Sequence, residues 1–280
     1  MSRPLEAGEK VVLVDAKRRR YLLTLKPGAE FHSHAGFLTH DDIIGAEEGT
    51  MTRSTGGARY TVIRPTLSEF VLKMPRGAQV IYPKDLGAIL MLADIFPGAR
   101  VLESGVGSGA LSMTMLRAGA IITGYEIRED FAAKAKENVA AFLGPDVLDR
   151  YDVQIRNTSD GIDDVGFDRV VLDLPEPWLV VPHAAKALRT GGIFLSYLPT
   201  ITQTVTLRTT LRDHGFAMAE TLEVLHRGWH IEGMSVRPDH RMVAHTGFLT
   251  CARLLVPEAL DLVGHAASAE GEDGSRRRIE

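Results

Sequence analysis

Apolar residues in the first 75 positions come in short runs separated by polar turns. "VVLV" (11–14) and "YLLTL" (21–25) flank the charged stretch "KRRR" (17–20). This predicts two strands around a charged turn. "ARYTVIRPTLSEFVLKM" (58–74) reads as further strand, with Pro65 marking a break. "STGG" (54–57) supplies the turn before it. Residues 1–75 are therefore expected to form a small β-rich barrel or sandwich.

The pattern changes near residue 76. "YPKDLGAILMLADIF" (82–96) has apolar residues at helical spacing and stops at Pro97-Gly98. Strand and helix candidates then alternate. "RVLESG" (100–105) reads as strand, and "GALSMTMLRAG" (109–119) as helix. "AIITGYE" (120–126) is strand again, followed by the helix "REDFAAKAKENVAAFLG" (128–144). "YDVQIRN" (151–157) and "FDRVVLDLP" (167–175) are strands. "PHAAKALRTGG" (182–192) reads as a helix closed by two glycines, before the strand "IFLSYLP" (193–199). "ITQTVTLRTTLRDHG" (201–215) is expected to be helical despite its threonines. "AETLEVLHRGWHIEGMSVRP" (219–238) and "HTGFLTCARLLV" (245–256) read as a final antiparallel pair. Alternating β and α predicts an α/β fold with an open, doubly wound, mostly parallel sheet over residues 76–263. The remainder, 264–280, is Ala, Ser, Gly and charge, and is expected to be disordered.

Composition narrows the class. The chain has 280 residues, 45% hydrophobic and 24% charged, which suits one large or two modest globular domains. A single cysteine, Cys251, excludes an intramolecular disulfide framework and fits a reducing cytoplasm. The start "MSRPLEAGEK" lacks the apolar core of a signal peptide, and no stretch reads as a membrane span. Net charge is −4, with a slight basic excess before residue 90 and an acidic one after it. That imbalance only weakly favours a polyanionic partner. His32, His34 and His40 lack the cysteine or acid pattern of a metal site, so no metal is expected.

The chemistry concentrates in "VLESGVGSGALS" (101–112), a glycine loop between a strand and a helix. Gly105, Gly107 and Gly109 let a ligand approach the backbone closely, with Ser108 among them and Ala110 and Leu111 opening the helix. A phosphate-cradling P-loop would need Lys-Ser/Thr after its last glycine, which Ala110-Leu111 does not provide. Spacing alone leaves a dinucleotide loop open, because Ala110 can take the place of the third glycine of G-x-G-x-x-G. Glu103 discriminates better: a carboxylate repels pyrophosphate and suits an ammonium group. Acid-x-Gly-x-Gly-x-Gly resembles the S-adenosylmethionine loop of class I methyltransferases. Glu126, at the end of the next strand, is placed to accept ribose hydroxyls in either cofactor class. Asn157 ends the third strand. It is read equally as a partner for an adenine edge and as a residue that starts a turn.

"VVLDLPEPW" (170–178) delivers Asp173 to the same sheet edge, followed by stiffening prolines and Trp178. A carboxylate and an aromatic face suit an amino-purine, the acid accepting from the exocyclic amine and the ring stacking on the base. "DLPEPW" resembles the D-[LM]-x-x-P-W segment of the bacterial and archaeal tRNA (adenine-N1)-methyltransferase family, the TrmI type. "GAEFHSHAGFLTHDDIIG" (28–45), "MPRGAQVIYPKD" (74–85), "YLPTITQ" (197–203) and "RPDHRMVAHTGFL" (237–249) carry the same resemblance.

The resemblance implies S-adenosylmethionine as methyl donor, tRNA as substrate with adenine 58 of the T loop as target, and a homotetramer. It implies that Gln79 and Tyr82 border the cofactor pocket. It also implies that the stretch holding Arg237, His240 and Arg241 lines the substrate entrance. One departure is Asn157, where family members commonly carry Asp. Lys17, Arg18, Arg19 and Arg20 are candidate phosphate contacts, although a solvated turn is the simpler reading of this basic run. Two other classes stay open on sequence grounds. One is an NAD-dependent oxidoreductase, which leaves Glu103 and "DLPEPW" without a role; the other is a non-catalytic RNA-binding subunit.

Overall fold

In a computed structural model, which describes residues 3–77, 79–260 and 262, the alternating stretches after residue 76 assemble into one seven-stranded sheet. The tail expected to be disordered lies outside the described residues. Contacts divide the chain into two units, Met1–Arg76 with Glu137–Pro145, and Gly77–Lys136 with Asp146–Glu280.

The first unit holds β1 (Lys10–Asp15), β2 (Arg20–Thr24), β3 (Glu30–Ser33), β4 (Gly36–Thr39), β5 (Met51–Arg53) and β6 (Arg59–Ile63). An antiparallel sheet runs β2-β1-β6-β5, and β3-β4 form a separate hairpin. Val11, Leu13, Leu38, Tyr60 and Val62 lie at the centre of its core. The expected strand after Pro65 is instead helix α1 (Leu67–Lys73). Thr66 accepts from the Glu69 N–H while the Glu69 carboxylate accepts from the Thr66 N–H, a reciprocal capping box that fixes the helix start.

The second unit contains α2 (Pro83–Leu92), β7 (Arg100–Ser104), α3 (Ala110–Arg117), β8 (Ile121–Glu126), α4 (Glu129–Leu143), β9 (Tyr151–Ile155), β10 (Phe167–Leu172), α5 (Val181–Ala187), β11 (Leu188–Leu198), α6 (Ile201–Asp213), β12 (Phe216–Glu223), β13 (Trp229–Glu232), β14 (Ser235–Pro238) and β15 (Phe248–Leu254). The last turns of α4 belong to the first unit. Strand order is β12-β15-β11-β10-β7-β8-β9, with β15 antiparallel to both its neighbours. The four pairings from β11 to β9 are parallel. The interiors of β7 and β10 are buried, as strands covered on both faces require. Chain order reverses between β7 and β10, so the carboxyl edge there is a topological switch point, where open α/β sheets bind ligands.

Two boundaries differ from the pattern-based reading. Helix α5 stops at Ala187, and Gly191 and Gly192 lie inside β11, where the register against β10 shifts. Glycine here serves an irregular strand rather than a helix end. The long strand expected over 219–238 is divided: β12 pairs with β15, whereas β13 and β14 leave the sheet as their own hairpin. Among the described residues no helix is long and apolar enough to cross a membrane, and no group of His, Cys, Asp and Glu could hold a metal.

Candidate active site

The glycine loop begins where β7 ends. Gly105, Gly107 and Gly109 all have positive φ, at 82°, 55° and 83°. Gly109 caps α3 in the left-handed region and lies against Ala135 of α4. Gly105 donates its N–H to the Tyr125 carbonyl at 3.1 Å. The Gly107 N–H donates to Glu126 Oε2 at 3.0 Å, and Glu126 Oε1 accepts from the Arg128 N–H at 3.1 Å. A backbone donor that would meet phosphate in a dinucleotide loop is therefore already held by a carboxylate.

Beside the loop, within the second unit, lies a cavity of about 570 Å³. It is lined by Gln79, Gly105, Gly107, Glu126, Asn157 and Asp173, six positions singled out in the sequence. Asn157 does both things asked of it. It lines the cavity, and its Oδ1 accepts from the Ser159 N–H at 3.1 Å to start a 3₁₀ turn. Two cations also line the cavity, and each has a carboxylate partner: Arg128 with Asp130 at 2.8 Å and Arg156 with Asp163 at 2.7 Å. The wall is thus electrostatically suited to a neutral or cationic ligand.

The other singled-out residues lie elsewhere. Ser108, Ala110 and Leu111 are buried where α3 starts and hold the loop in shape. Tyr82 is the N-cap residue of α2 and does not line the cavity. Trp178, expected to stack on a base, is partly buried against the hydrophobic core and does not line the cavity. Arg237 lies in β14, and His240 and Arg241 follow it on an exposed stretch.

Glu103 does not touch the cavity. It is wholly buried beneath the loop. Its Oε1 accepts from the Ser112 hydroxyl at 2.9 Å, and Ser112 in turn accepts from the Tyr151 hydroxyl at 2.8 Å. Its Oε2 has no hydrogen-bond partner. Desolvation pushes its carboxyl from 4.5 up to about 8, with the nearby Asp173 charge adding to the rise against the opposing Ser112 hydrogen bond. The folded chain keeps this proton over a range where the unfolded chain releases it. The contribution of this group to stability should therefore be full below pH 4.5 and be lost as pH rises through about 8. The full loss would be roughly 5 kcal/mol if the whole shift is expressed. Glu103→Gln should flatten that decline, read from urea midpoints across the range; parallel declines in both proteins would refute the assignment.

Asp173 follows β10, its N–H donating to the Ser104 carbonyl at 2.9 Å. It retains partial exposure because it opens on the cavity, yet desolvation pushes its carboxyl up to about 7. Two carboxylates, Glu126 and Asp173, thus face one cavity, with a third behind the loop.

Residues 59–237 match the family described as "tRNA methyltransferase complex GCD14 subunit", and residues 4–52 match the TrmI-like N-terminal family. The chain belongs to this tRNA methyltransferase family. It is 37% identical over 246 residues to the tRNA (adenine(58)-N(1))-methyltransferase TrmI of Thermus thermophilus, a match covering 87% of this chain and 96% of that one. The crystal structure of tRNA (m1A58) methyltransferase TrmI from Aquifex aeolicus superposes with a TM-score of 0.80 at 29% identity, covering 91% of this chain and 100% of that one. A SAM-dependent O-methyltransferase from Thermotoga maritima superposes at 0.85 with 30% identity, covering 90% and 95%. The fold is that of class I methyltransferases.

For this tRNA methyltransferase family member, the structure adds cavity residues not singled out in the sequence. Ile127 and Arg128 directly follow β8, and Arg156 follows β9. The rule that ligands sit off the carboxyl ends of strands would have found all three. Phe131, with Arg128 stacked over its ring at 3.7 Å, had no sequence signal beyond its place in a helix.

Proposed function

We propose that this chain transfers a methyl group from S-adenosylmethionine to N1 of an adenine in tRNA, position 58 of the T loop. The observation that carries this reading is the cavity at the switch point, with Asp173 on its wall and Glu126 held by the loop it faces. The donor set fits the methyl donor: carboxylates suit its ribose hydroxyls and positive charge, and both cations on the wall are neutralised. Glu126, fixed by two backbone N–H groups, keeps lone pairs for ribose hydroxyls. Asn157 offers an amide to an adenine edge, and Gln79 borders the same space. Tyr82 and the loop residues around Ser108 act by shaping this wall.

When bound, S-adenosylmethionine supplies an electrophilic methyl group on a sulfonium. The neutral N1 of adenine is already nucleophilic, so the protein needs no strong base. Asp173 accepts from the exocyclic amine of the target adenine. As the ring gains positive charge, that contact strengthens more in the transition state than in the ground state, which lowers the barrier. N1 is paired inside folded RNA, so the target must be splayed out and its flanking phosphates held. Arg237, His240 and Arg241 on the exposed stretch serve this, with Lys17–Arg20 of the first unit as further phosphate contacts. Trp178 supports the base-facing loop from behind, through the core. The first unit contributes to RNA contact and assembly, and the working form is a cytoplasmic homotetramer.

The deciding experiment is mass spectrometry of tRNA nucleosides after incubation with protein and S-adenosylmethionine. N1-methyladenosine in the T-loop fragment is expected. Unchanged tRNA, or NADH consumption in its place, would sink the proposal.

A further inference from the structure

The first turn of α2 carries charges that the proposed reaction does not use. Asp85 is completely buried, and the side chain of Lys84 is 4% exposed. Lys84 Nζ donates to Asp85 Oδ1 at 2.8 Å and to Thr246 Oγ1 at 2.5 Å. The Thr246 hydroxyl donates to Asp85 Oδ2 at 2.6 Å. The Thr246 carbonyl accepts from the Tyr197 hydroxyl at the end of β11. The neighbouring His245 ring bridges Glu223 Oε1 and the Pro199 carbonyl, at 2.7 and 2.8 Å. A dense polar knot thus grips two consecutive residues just ahead of β15.

The chain before that knot is the opposite. Residues 239–245 are exposed throughout. They are tied back through backbone pairing of His226 with Val243 and of Asp239 with Gly228. Burying an ion pair is a poor way to gain stability, because desolvation offsets the attraction and an apolar pair of like volume does as well. What such a pair does supply is a fixed geometry, here at the root of the stretch bearing His240 and Arg241.

We infer that Lys84, Asp85 and Thr246 are positioning residues, a buried clamp that sets the path of segment 239–245 and through it the affinity for the RNA substrate. This rests on the reading of the chain as a tRNA methyltransferase. The clamp and the fold make different demands on the same residues. Lys84→Met leaves the Asp85 charge buried and unpaired, so it should lower the melting temperature. Lys84→Met/Asp85→Leu removes both charges and should recover it. If the pair served stability alone, the double variant would also regain wild-type kinetics.

The test uses the full chain, with melting temperature, S-adenosylmethionine affinity by calorimetry, steady-state methylation of tRNA, and hydrogen exchange of 239–247. For the double variant we expect a recovered melting temperature, unchanged cofactor affinity and faster exchange in 239–247. Its KM for tRNA should rise about tenfold, as losing a phosphate contact or two would produce, with kcat moving less. Thr246→Val, which spares the ion pair, should raise KM in the same direction, and Thr246→Ser should restore it. A thermally recovered double variant with wild-type KM and exchange overturns the clamp. So does Thr246→Val with wild-type KM. If the wild type itself leaves tRNA unmethylated, the functional reading fails, and the exchange comparison still decides whether the clamp orders the segment.

Discussion

Asp173→Asn is expected to bind S-adenosylmethionine nearly as well as the wild type and to lose about 10²–10³-fold in kcat, the usual consequence of removing one preorganised electrostatic contact. The substitution preserves shape and alters what the group offers. Asp173 stands at the end of β10, a buried strand paired with β7 and β11, so the carboxylate is carried on a rigid element. Its N–H is tied to Ser104. Asn would still reach the amine of the target adenine through its carbonyl, but without the charge that answers the developing positive ring. The wild type should show a pH signature as well. Desolvation pushes the Asp173 carboxyl up to about 7, so below that pH the free enzyme holds a neutral acid. Accordingly kcat/KM, which reports the free enzyme, should rise as pH passes upward through about 7 and then level, while the variant should lack this limb. Single-turnover methyl transfer checks the magnitude; equal rates in the two proteins would remove Asp173 from the chemistry.

Much of the fold was legible because the period of the apolar pattern changes where the architecture changes. Alternating buried strands and amphipathic helices after residue 76 left little room for anything but a doubly wound sheet, and strand ends then located Glu126, Asn157 and Asp173 along one edge. The misreadings have specific causes. "TLSE" at 66–69 is a capping box, a helix-start signal hidden in a stretch whose Val, Ile and Phe content looked like strand. Gly191 and Gly192 looked like a helix stop, yet they serve an irregularity inside β11. The chemistry of Trp178 suggests a stacking surface, whereas its packing against the core cluster is a contact that no local pattern encodes. The motif suggests that Glu103 faces the ligand, whereas it lies buried beneath the loop. Alternation along β7 could not settle this, since a strand buried on both faces has no wet side. The Lys84–Asp85–Thr246 cluster is the extreme case: its partners are 161 and 162 positions apart, and only the finished sheet brings them together.

The electrostatic arrangement explains why the loop and Asp173 must be considered together. Burial raises the carboxyls of Glu103 and Asp173, and Glu103 also feels the charges of Asp173 and Glu126. A cationic ligand in the cavity would relieve that strain, so binding and protonation are coupled. Proton release on addition of S-adenosylmethionine near neutral pH follows from the same geometry.

Gly105→Ala should be the most damaging single-atom-scale change in the second unit. Gly105 has a φ of 82°, in the left-handed region, where an L side chain is strained. That strain alone is worth roughly 1–2 kcal/mol. The larger problem is space. A Cβ placed there would lie 2.1 Å from the carbonyl oxygen of Asp173 and 2.9 Å from its carbonyl carbon. These are backbone atoms that directly follow a strand locked in parallel register with β7, so neither side can yield by rotating a side chain. If the protein folds, the loop and the Asp173 segment must separate, which breaks the wall against which both substrates are to be held. We expect a clear drop in melting temperature, loss of measurable S-adenosylmethionine binding, and a fall in methyl transfer beyond about 100-fold, the scale on which misplacement of about 1 Å acts. Gly144→Ala is the control, because Gly144 shares the positive φ, at 92°, but has nothing within 4 Å of the added Cβ. It carries the backbone strain without the collision and should keep cofactor affinity. Wild-type affinity in Gly105→Ala would mean that the close approach of loop and strand end is incidental, and the cavity would then need a different account of what shapes it.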